Sequence, residues 1–324
     1  MLTFKKVALQ MFGVTTTVGI DIGTSTVRAA LLQQGSKSVT LKKLLIAPYE
    51  AETLEAVLKG LKKQIGKACL MPWHRPKHQI MGIPQSSVAV KRFPPLSDLP
   101  DHEQFVQVGL QLSESLGLPL DELLYDYYAL EDKSATEVYA CRKSMLNETL
   151  NGLENAGFEL SVIELHTQAL MRLYRVQSGQ QLAQGLGLLV DVGRERLQIC
   201  MGDEKTGQFY RELPTPALPS LSDAKLAREH FTEQLADVIK RHYQLAATQL
   251  SGTEVSHVWL SGECAKNVDI FLLETYLSWP TQALNPLQGL SYSPHFIEQL
   301  NEPVSAWSTA IGLALRGVSH DRQY

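Results

Sequence analysis

The chain has 324 residues, enough for about two domains, and its 44% hydrophobic and 20% charged content is that of a folded globular protein. A formal charge of −4 gives no support for a nucleic-acid partner. Cys69, Cys141, Cys200 and Cys264 are widely spaced and form no C-x-x-C, so free thiols in a reducing compartment are expected. No apolar run approaches the roughly 20 residues of a membrane helix. The opening MLTFKKVALQMFG has too short an apolar part for a signal peptide. It reads as a frayed terminus or as a small tail that touches a membrane or a partner.

In chain order, the first clear unit is VGIDIGTSTVRAALL, Val18–Leu32. Val18, Ile20 and Ile22 alternate with Gly19 and Asp21, and Val27–Leu32 is apolar apart from Arg28, so two strands flank the turn Gly23-Thr24-Ser25-Thr26. Gly23 can take backbone angles closed to other residues, and the next three offer hydroxyls and N–H groups to an anion. Asp21 could hold a metal-bound water against a phosphate. An ordinary hairpin turn accounts for the same residues. Val39–Ile46 makes a third strand. Ala51–Ala68 is an amphipathic helix by the spacing of Leu54, Val57, Leu58, Leu61 and Ile65. Pro72 and Pro76 argue against a helical metal pair at His74 and His78.

Strands are expected over Gln79–Ile83 and Ser87–Phe93, followed by a helix over Asp98–Leu116. A strand ends GLPLDELLYDYYAL, Gly117–Leu130, and another covers Val138–Arg142. Lys143–Asn155 is a helix stopped by Ala156-Gly157, Phe158–Leu165 a strand, and a further helix runs from Thr167 to about Val176. After a polar linker, Gln177–Gln184, Leu186–Met201 repeats the opening pattern of strand, Asp191-Val192-Gly193, strand. Here Arg194, Glu195 and Arg196 follow the glycine. An arginine there either contacts a phosphate or fills its volume, and losing small residues favours the second. Phe209–Leu213 is a strand, trailed by Pro214, Pro216 and Pro219. Ser222–Gln244 is a long amphipathic helix with Lys225, Lys240 and Arg241 on its polar side, either solvated or within reach of a ligand. A buried-type strand, Val255–Leu260, ends in Ser261-Gly262-Glu263, and Val304–Gly317 is a final helix whose Ala306, Ala310 and Ala314 allow close packing. Val318–Tyr324 is expected to be a disordered tail.

The Asp-x-Gly-Thr/Ser turn between strands resembles the first phosphate loop of the actin, Hsp70 and sugar-kinase superfamily, which carries one copy per lobe. GLPLDELLYDYYAL and VYACRKSMLNETLNGLENAGFELSVIEL, with Pro119, Asp126, Tyr127, Arg142 and Lys143 in place, resemble the inserted subdomain of the PilM family of type IV pilus assembly. Asn285-Pro286 and the run Ile311 to Arg316 resemble the end of the same family. This implies an α/β chain with the two-lobed actin-like ATPase fold, built of ribonuclease H-like lobes with an FtsA-type 1C insert. The first lobe would span 1–180, interrupted by an insert over 83–157. The second would span 181–317, before the tail 318–324.

The resemblance implies a site for ATP with magnesium at Asp21, Gly23, Thr24, Ser25, Thr26, Asp191, Gly193, Ser261 and Gly262, with Asp21 meeting the metal through water. Glu263 departs from the family's glycine pair and Arg194–Arg196 from its second loop. ATP binding therefore stays open, hydrolysis is expected to be weak or absent, and no catalytic residue is assigned. The implied role is a cytoplasmic scaffold at the inner membrane that binds the N-terminal cytoplasmic peptide of PilN, in a groove between the first lobe and the insert. Val88, Val90 and Arg92 are candidates for that groove. The pilus motor ATPase is a further candidate partner, and self-association is open. The alternatives are a polymerising actin-like ATPase and a sugar kinase. A kinase would need a carboxylate base and intact second-loop glycines.

Overall fold

The computed structural model describes residues 15–36, 38–49, 52–69, 75–96, 100–130, 134–178, 186–203, 207–218, 223–247, 254–298 and 300–320. The opening segment, most of the expected linker and the last four residues fall outside these. The chain begins with β1 (Thr15–Ile22), β2 (Thr26–Gln34), β3 (Val39–Pro48), α1 (Leu54–Ala68) and β4 (His78–Ile83). There follow β5 (Ala89–Phe93), α2 (Asp101–Leu116), β6 (Leu123–Ala129), β7 (Thr136–Arg142), α3 (Lys143–Asn155), β8 (Val162–Leu165) and α4 (His166–Ser178). The second half holds β9 (Leu186–Val192), β10 (Arg196–Asp203), β11 (Gly207–Pro214), α5 (Ala224–Ala247) and β12 (Val255–Ser261). It closes with α6 (Ile270–Leu277), β13 (Thr281–Ala283), β14 (Leu290–Ser291), α7 (Pro294–Glu298) and α8 (Ser308–His320).

Two sheets share one plan. The first is ordered β14-β3-β2-β1-β4-β8 and the second β11-β10-β9-β12-β13. Each starts as an antiparallel meander, and each continues with parallel strands on the far side of its first strand. Both faces of each sheet are covered, so the central strands bury residues of either parity. Val18, Ile20, Val27, Ala29 and Leu31 face α1 and α3, whereas Ala30 and Leu32 face the other way. In the second sheet Leu188, Val190, Leu197, Ile199, Val258 and Leu260 face α5 and α6. Leu189, Cys200 and Trp259 face back towards the first sheet.

Between the sheets lie α4 and α8, which share a single core with both. Leu170, Met171, Leu173 and Tyr174 of α4 pack there with Ala310, Ile311 and Ala314 of α8. The contact is close because side chains are missing at the right places. A Cβ on Gly19 of β1 would lie 2.1 Å from the Ala310 carbonyl oxygen, and one on Gly312 of α8 would lie 2.2 Å from that of Ala169. Thr17 Oγ1 donates to the Ala314 carbonyl (2.8 Å), and the buried Trp307 indole donates to the Leu45 carbonyl (3.1 Å).

The third sheet, β5-β7-β6, has its own small core of Val108, Leu112, Leu123, Val138 and Ala140 under α2. Helix α3 packs elsewhere: its Leu146 and Leu153 join Val57, Leu58 and Leu61 of α1. The module with a core of its own is therefore β5 to β7 with α2, narrower than the 83–157 stretch read from the sequence.

Local signals explain most element ends. Thr53 caps α1 by accepting from the Ala56 amide (3.3 Å), and Gly117 stops α2 at φ 63°. Three outcomes differ from expectation. The strand expected over Phe158–Leu165 is formed only over Val162–Leu165. The last helix opens as a tight 3₁₀ turn, Val304–Trp307, and runs on through His320, because Val318 is buried in the shared core and so cannot belong to a loose tail. The short elements α6, β13, β14 and α7 were not anticipated. All four cysteines are free.

Gly19→Ala is expected to lower stability by on the order of 3 kcal/mol or more, since the added methyl must push α8 off β1. Denaturant unfolding of the two proteins checks this, and an unchanged midpoint would contradict the close seating of α8.

Candidate functional site

Strand β1 runs parallel to β4, and β9 parallel to β12, and the carboxyl ends of β1, β9 and β12 point into a cleft between the lobes, the usual place for a ligand in open α/β sheets. Two near-identical turns face one another across it. In the first, the Gly23 amide donates to the Thr26 carbonyl (2.9 Å) and the Tyr49 amide to Ser25 (3.0 Å). In the second, the Gly193 amide donates to Arg196 (3.0 Å) and the Thr215 amide to Glu195 (2.9 Å). Each glycine carbonyl also accepts a hydroxyl, from Tyr49 in one lobe and from Thr215 (2.9 Å) in the other.

Of the residues expected to form a site, Asp21, Gly23, Thr24, Ser25, Thr26, Asp191, Gly193 and Gly262 all line this cleft. Ser261 does not. It is fully buried behind Asp191, and its hydroxyl lies 2.7 Å from that of Ser308. Lys225, Lys240 and Arg241 are also not among the lining residues, and Lys225 lies 3.8 Å from Glu229 on its own helix. Among the described residues no group of three or more His, Cys, Asp or Glu is placed to hold a metal ion.

The structure adds residues that the sequence reading passed over. Arg28 of β2 is the chief one. Its guanidinium is buried, donates from Nη2 to both Glu263 and Glu302 (2.8 Å for the latter), and reaches the Thr26 hydroxyl from Nη1 (3.1 Å). It also lies 5.9 Å over the Trp307 ring. Burial disfavours its charge, but the Glu302 and Glu263 carboxylates more than offset this and hold it above its ordinary range. Glu263 turns its second oxygen to the Arg194 amide (2.9 Å). One carboxylate thus joins β2 of the first lobe to the turn of the second. The signal was present in the sequence: Arg28 has the parity of Ala30 and Leu32, so a cation was being placed on an inward face and needed an acid.

His166, at the start of α4, and Gln198 of β10 complete the floor. His166 Nε2 is 3.4 Å from Asp21 Oδ1 but not in hydrogen-bond geometry, and Gln198 Oε1 is buried without a protein partner. Asp191 is the most perturbed acid. Burial pushes its carboxyl up to about 7, the charges of Asp21 and Glu263 add to this, and Ser261 and Arg28 oppose it.

Whether the cleft suits ATP with magnesium differs between its two sides. The first turn offers exposed amides and hydroxyls to a phosphate, with Asp21 beside it. On the second side the Arg194 amide is already taken by Glu263, and Arg194 and Arg196 crowd the turn. Gly262, at φ 100°, is pressed onto the Val192 backbone, where an added Cβ would lie 2.4 Å from the carbonyl oxygen. The free space is about 90 Å³, well short of the roughly 300–1,000 Å³ common for small-molecule sites. The residues present do not fit a nucleotide while the Arg28–Glu263 bridge is closed.

Residues 19–214 match the family model described as type IV pilus assembly protein PilM. Among solved structures, the chain is similar to one described as the PilM–PilN type IV pilus biogenesis complex. The identity is 20%, 93% of this chain and 98% of that chain are covered, and the TM-score is 0.71. It is more distantly similar to the cytoplasmic domain of EpsL, an inner-membrane component of the type II secretion system of Vibrio cholerae (10% identity, 94% and 95% covered, TM-score 0.49). An archaeal actin homolog also aligns (10%, 94% and 100% covered, TM-score 0.45). None of the curated proteins compared matches. The fold is the two-lobed actin-like one, of mixed α/β class.

Two outcomes are expected from the cleft. From about pH 4 to 7 the native state keeps a proton on Asp191 that the unfolded chain has lost, so this residue lowers stability as pH rises, fully above pH 7. Asp191→Asn should therefore raise stability above pH 7 by on the order of 2–4 kcal/mol and flatten that slope, as read from urea unfolding across pH. Arg28→Ala leaves two carboxylates facing each other and should cost on the order of 3–5 kcal/mol, measured the same way.

Proposed function

Since the chain belongs to the PilM family of type IV pilus assembly proteins, we propose that it is a scaffold of pilus biogenesis that holds the N-terminal cytoplasmic peptide of a PilN-like inner-membrane protein. In this reading it is cytoplasmic and is kept at the inner membrane through that partner, with the motor ATPase and a second copy as further contacts. Among the described residues no helix is long and apolar enough to cross a membrane, which accords with attachment through a partner. The chain divides into a first lobe, interrupted by the β5–β7 module, and a second lobe.

The observation that carries the reading is the family match together with the way the module meets the first lobe. One face of the β5-β7-β6 sheet lies under α2. The residues of opposite parity turn towards the lobe, where Val88, Leu124, Tyr139 and Cys141 pack on its core. Further out, Val90 and Tyr128 stay 40% and 49% exposed, so an apolar edge remains for an extended peptide. The buried Glu137 accepts from Arg92, Tyr128 and Tyr139, each at 2.7 Å. Although burial alone would raise its carboxyl, those three donors hold it below the ordinary range, so the aromatic rings are fixed in place. Of the three groove candidates, Val88 belongs to the core, whereas Val90 and Arg92 face outward.

Nucleotide has a subordinate place in this proposal. ATP with magnesium would meet the first-lobe turn only after the Arg28 bridge opened, and turnover is not part of the role. A peptide of the partner's first ~15 residues, a length suited to extended recognition, should bind without nucleotide in calorimetry. Val90→Asp and Tyr128→Ala should each weaken it about tenfold or more, as expected for anchors of an interface. Peptide capture that required ATP, or steady ATP turnover, would overturn the scaffold reading.

A further inference from the structure

The acidic residues of this chain are unevenly spread. None falls between Glu55 and Asp98, a stretch that contains Lys59, Lys62, Lys63, Lys67, Arg75 and Lys77. The fold places Lys67, Arg75 and Lys77 at the end of the first lobe away from the cleft, with Lys59, Lys62 and Lys63 leading up to them along α1. Helix α1 buries Val57, Leu58, Leu61 and Ile65, so Lys59, Lys63 and Lys67, four apart, form an exposed stripe. Lys62 Nζ donates to Gln79 Oε1 of β4 (3.2 Å) and lies 4.5 Å over the Phe158 ring, tying the second half of α1 to the start of β4. Arg75 and Lys77 are exposed just before that point. Burial lowers the Lys62 ammonium, Glu159 opposes this, and the charge of Arg75 adds a smaller lowering.

Glu55 holds Lys59 (2.5 Å), and Glu159 acts on Lys62 at the rim. A face kept only for solubility mixes both signs; the stretch from 56 to 97 contains cations and no acid. Lys77 is also on the opposite end of β1 from the cleft, because its amide donates to Thr16 at the strand's first turn of chain (2.8 Å).

We propose that this basic end of the first lobe docks directly on an anionic phospholipid bilayer. Six clustered Lys and Arg are within the range of about 4–8 at which polybasic surfaces hold an acidic membrane. The choice of a bilayer over an acidic protein rests on the pilus reading above, in which an inner-membrane partner already keeps the chain within reach of lipid. Lipid contact at that end would then leave the cleft, at the opposite end of β1, facing away from the headgroups.

The test is sedimentation of the full chain, without partner peptide, with vesicles of phosphatidylcholine containing about 30% phosphatidylglycerol, a charge content suited to surface electrostatics. Binding is expected at low salt, loss at about 0.5 M salt where screening is short-ranged, and none on pure phosphatidylcholine. Lys63→Glu with Lys67→Glu should reduce binding at least tenfold, at about fivefold or more per charge. An unchanged melting temperature would show that this variant is folded. No binding of the wild-type chain to anionic vesicles would overturn the proposal, as would equal binding to neutral ones or an unaffected double variant. Loss of a co-purifying acidic protein in the double variant, with no vesicle binding by either chain, would identify a protein contact and overturn it too. Calorimetry with the soluble peptide on the same variants reads the groove separately, so failure on vesicles leaves that reading standing.

Discussion

The seating of α8 on β1 is the contact on which the rest of the molecule depends. Two absent side chains, at Gly19 and Gly312, let the backbone of α8 approach the first sheet on one side and α4 on the other. Because α4 and α8 also carry the second sheet, through Leu189, Cys200 and Trp259, the distance between lobes is set by packed backbone and not by flexible loops. Interiors at native density transmit displacement with little loss. A shift of α8 would therefore move Ser308 against Ser261, and with it the strand end that presents Gly262 and Glu263 to the cleft.

Within that frame the cleft is closed by the chain's own charges. A guanidinium between two carboxylates makes directional, charge-assisted bonds that a single surface pair does not. Arg28 is almost fully buried, so the bridge is little screened. Buried pairs of this kind are weak contributors to net stability against an apolar substitute, yet costly to break from one side only. This asymmetry suits a joint between lobes: it adds little to stability when whole, but it makes the open state with one partner missing unfavourable. A triphosphate entering the cleft would have to displace Glu263 from both Arg28 and the Arg194 amide, and bring its own negative charge close to Asp21, Glu302 and the already strained ionisation of Asp191.

The larger architecture was legible because it rests on local rules. Alternation marked the central strands, the spacing of Leu54, Val57, Leu58, Leu61 and Ile65 marked α1, and the duplicated Asp-x-Gly turn foretold two similar lobes. What escaped depended on contacts across long separations. Arg28 and Glu263 are 235 positions apart, and each alone looks like an exception: a charge in an apolar strand, an acid where small residues are usual. His166 and Gln198 likewise gain meaning only once two lobes face each other. The short α6, β13 and β14 lack the length over which periodicity can be read. Helix α3, read as the end of the insert, packs its apolar face on α1, a contact its pattern does not name because it shows that one face is buried but not which helix buries it.

The two cleft turns separate shape from chemistry. Gly23-Thr24-Ser25-Thr26 and Gly193-Arg194-Glu195-Arg196 share only their glycine, yet they make the same backbone bonds, and each is closed from behind by an amide and a hydroxyl of the third strand's end. The shape is thus maintained by the meander and not by a ligand. Keeping the shape lets both lobes end their hairpins at the same level and meet across the cleft. Keeping the hydroxyls in only one of them is a chemical difference laid on a common frame. In the second lobe the turn's side chains reach further: Arg196 lies 3.7 Å from Glu212, and Glu212 in turn accepts from Ser86 at the foot of the β5–β7 module. The residues that crowd the phosphate side of the cleft are, through Glu212, connected to the side where a peptide would lie. The cleft and the β5–β7 module are thus parts of one continuous set of contacts, and a displacement at either is carried to the other through Glu212.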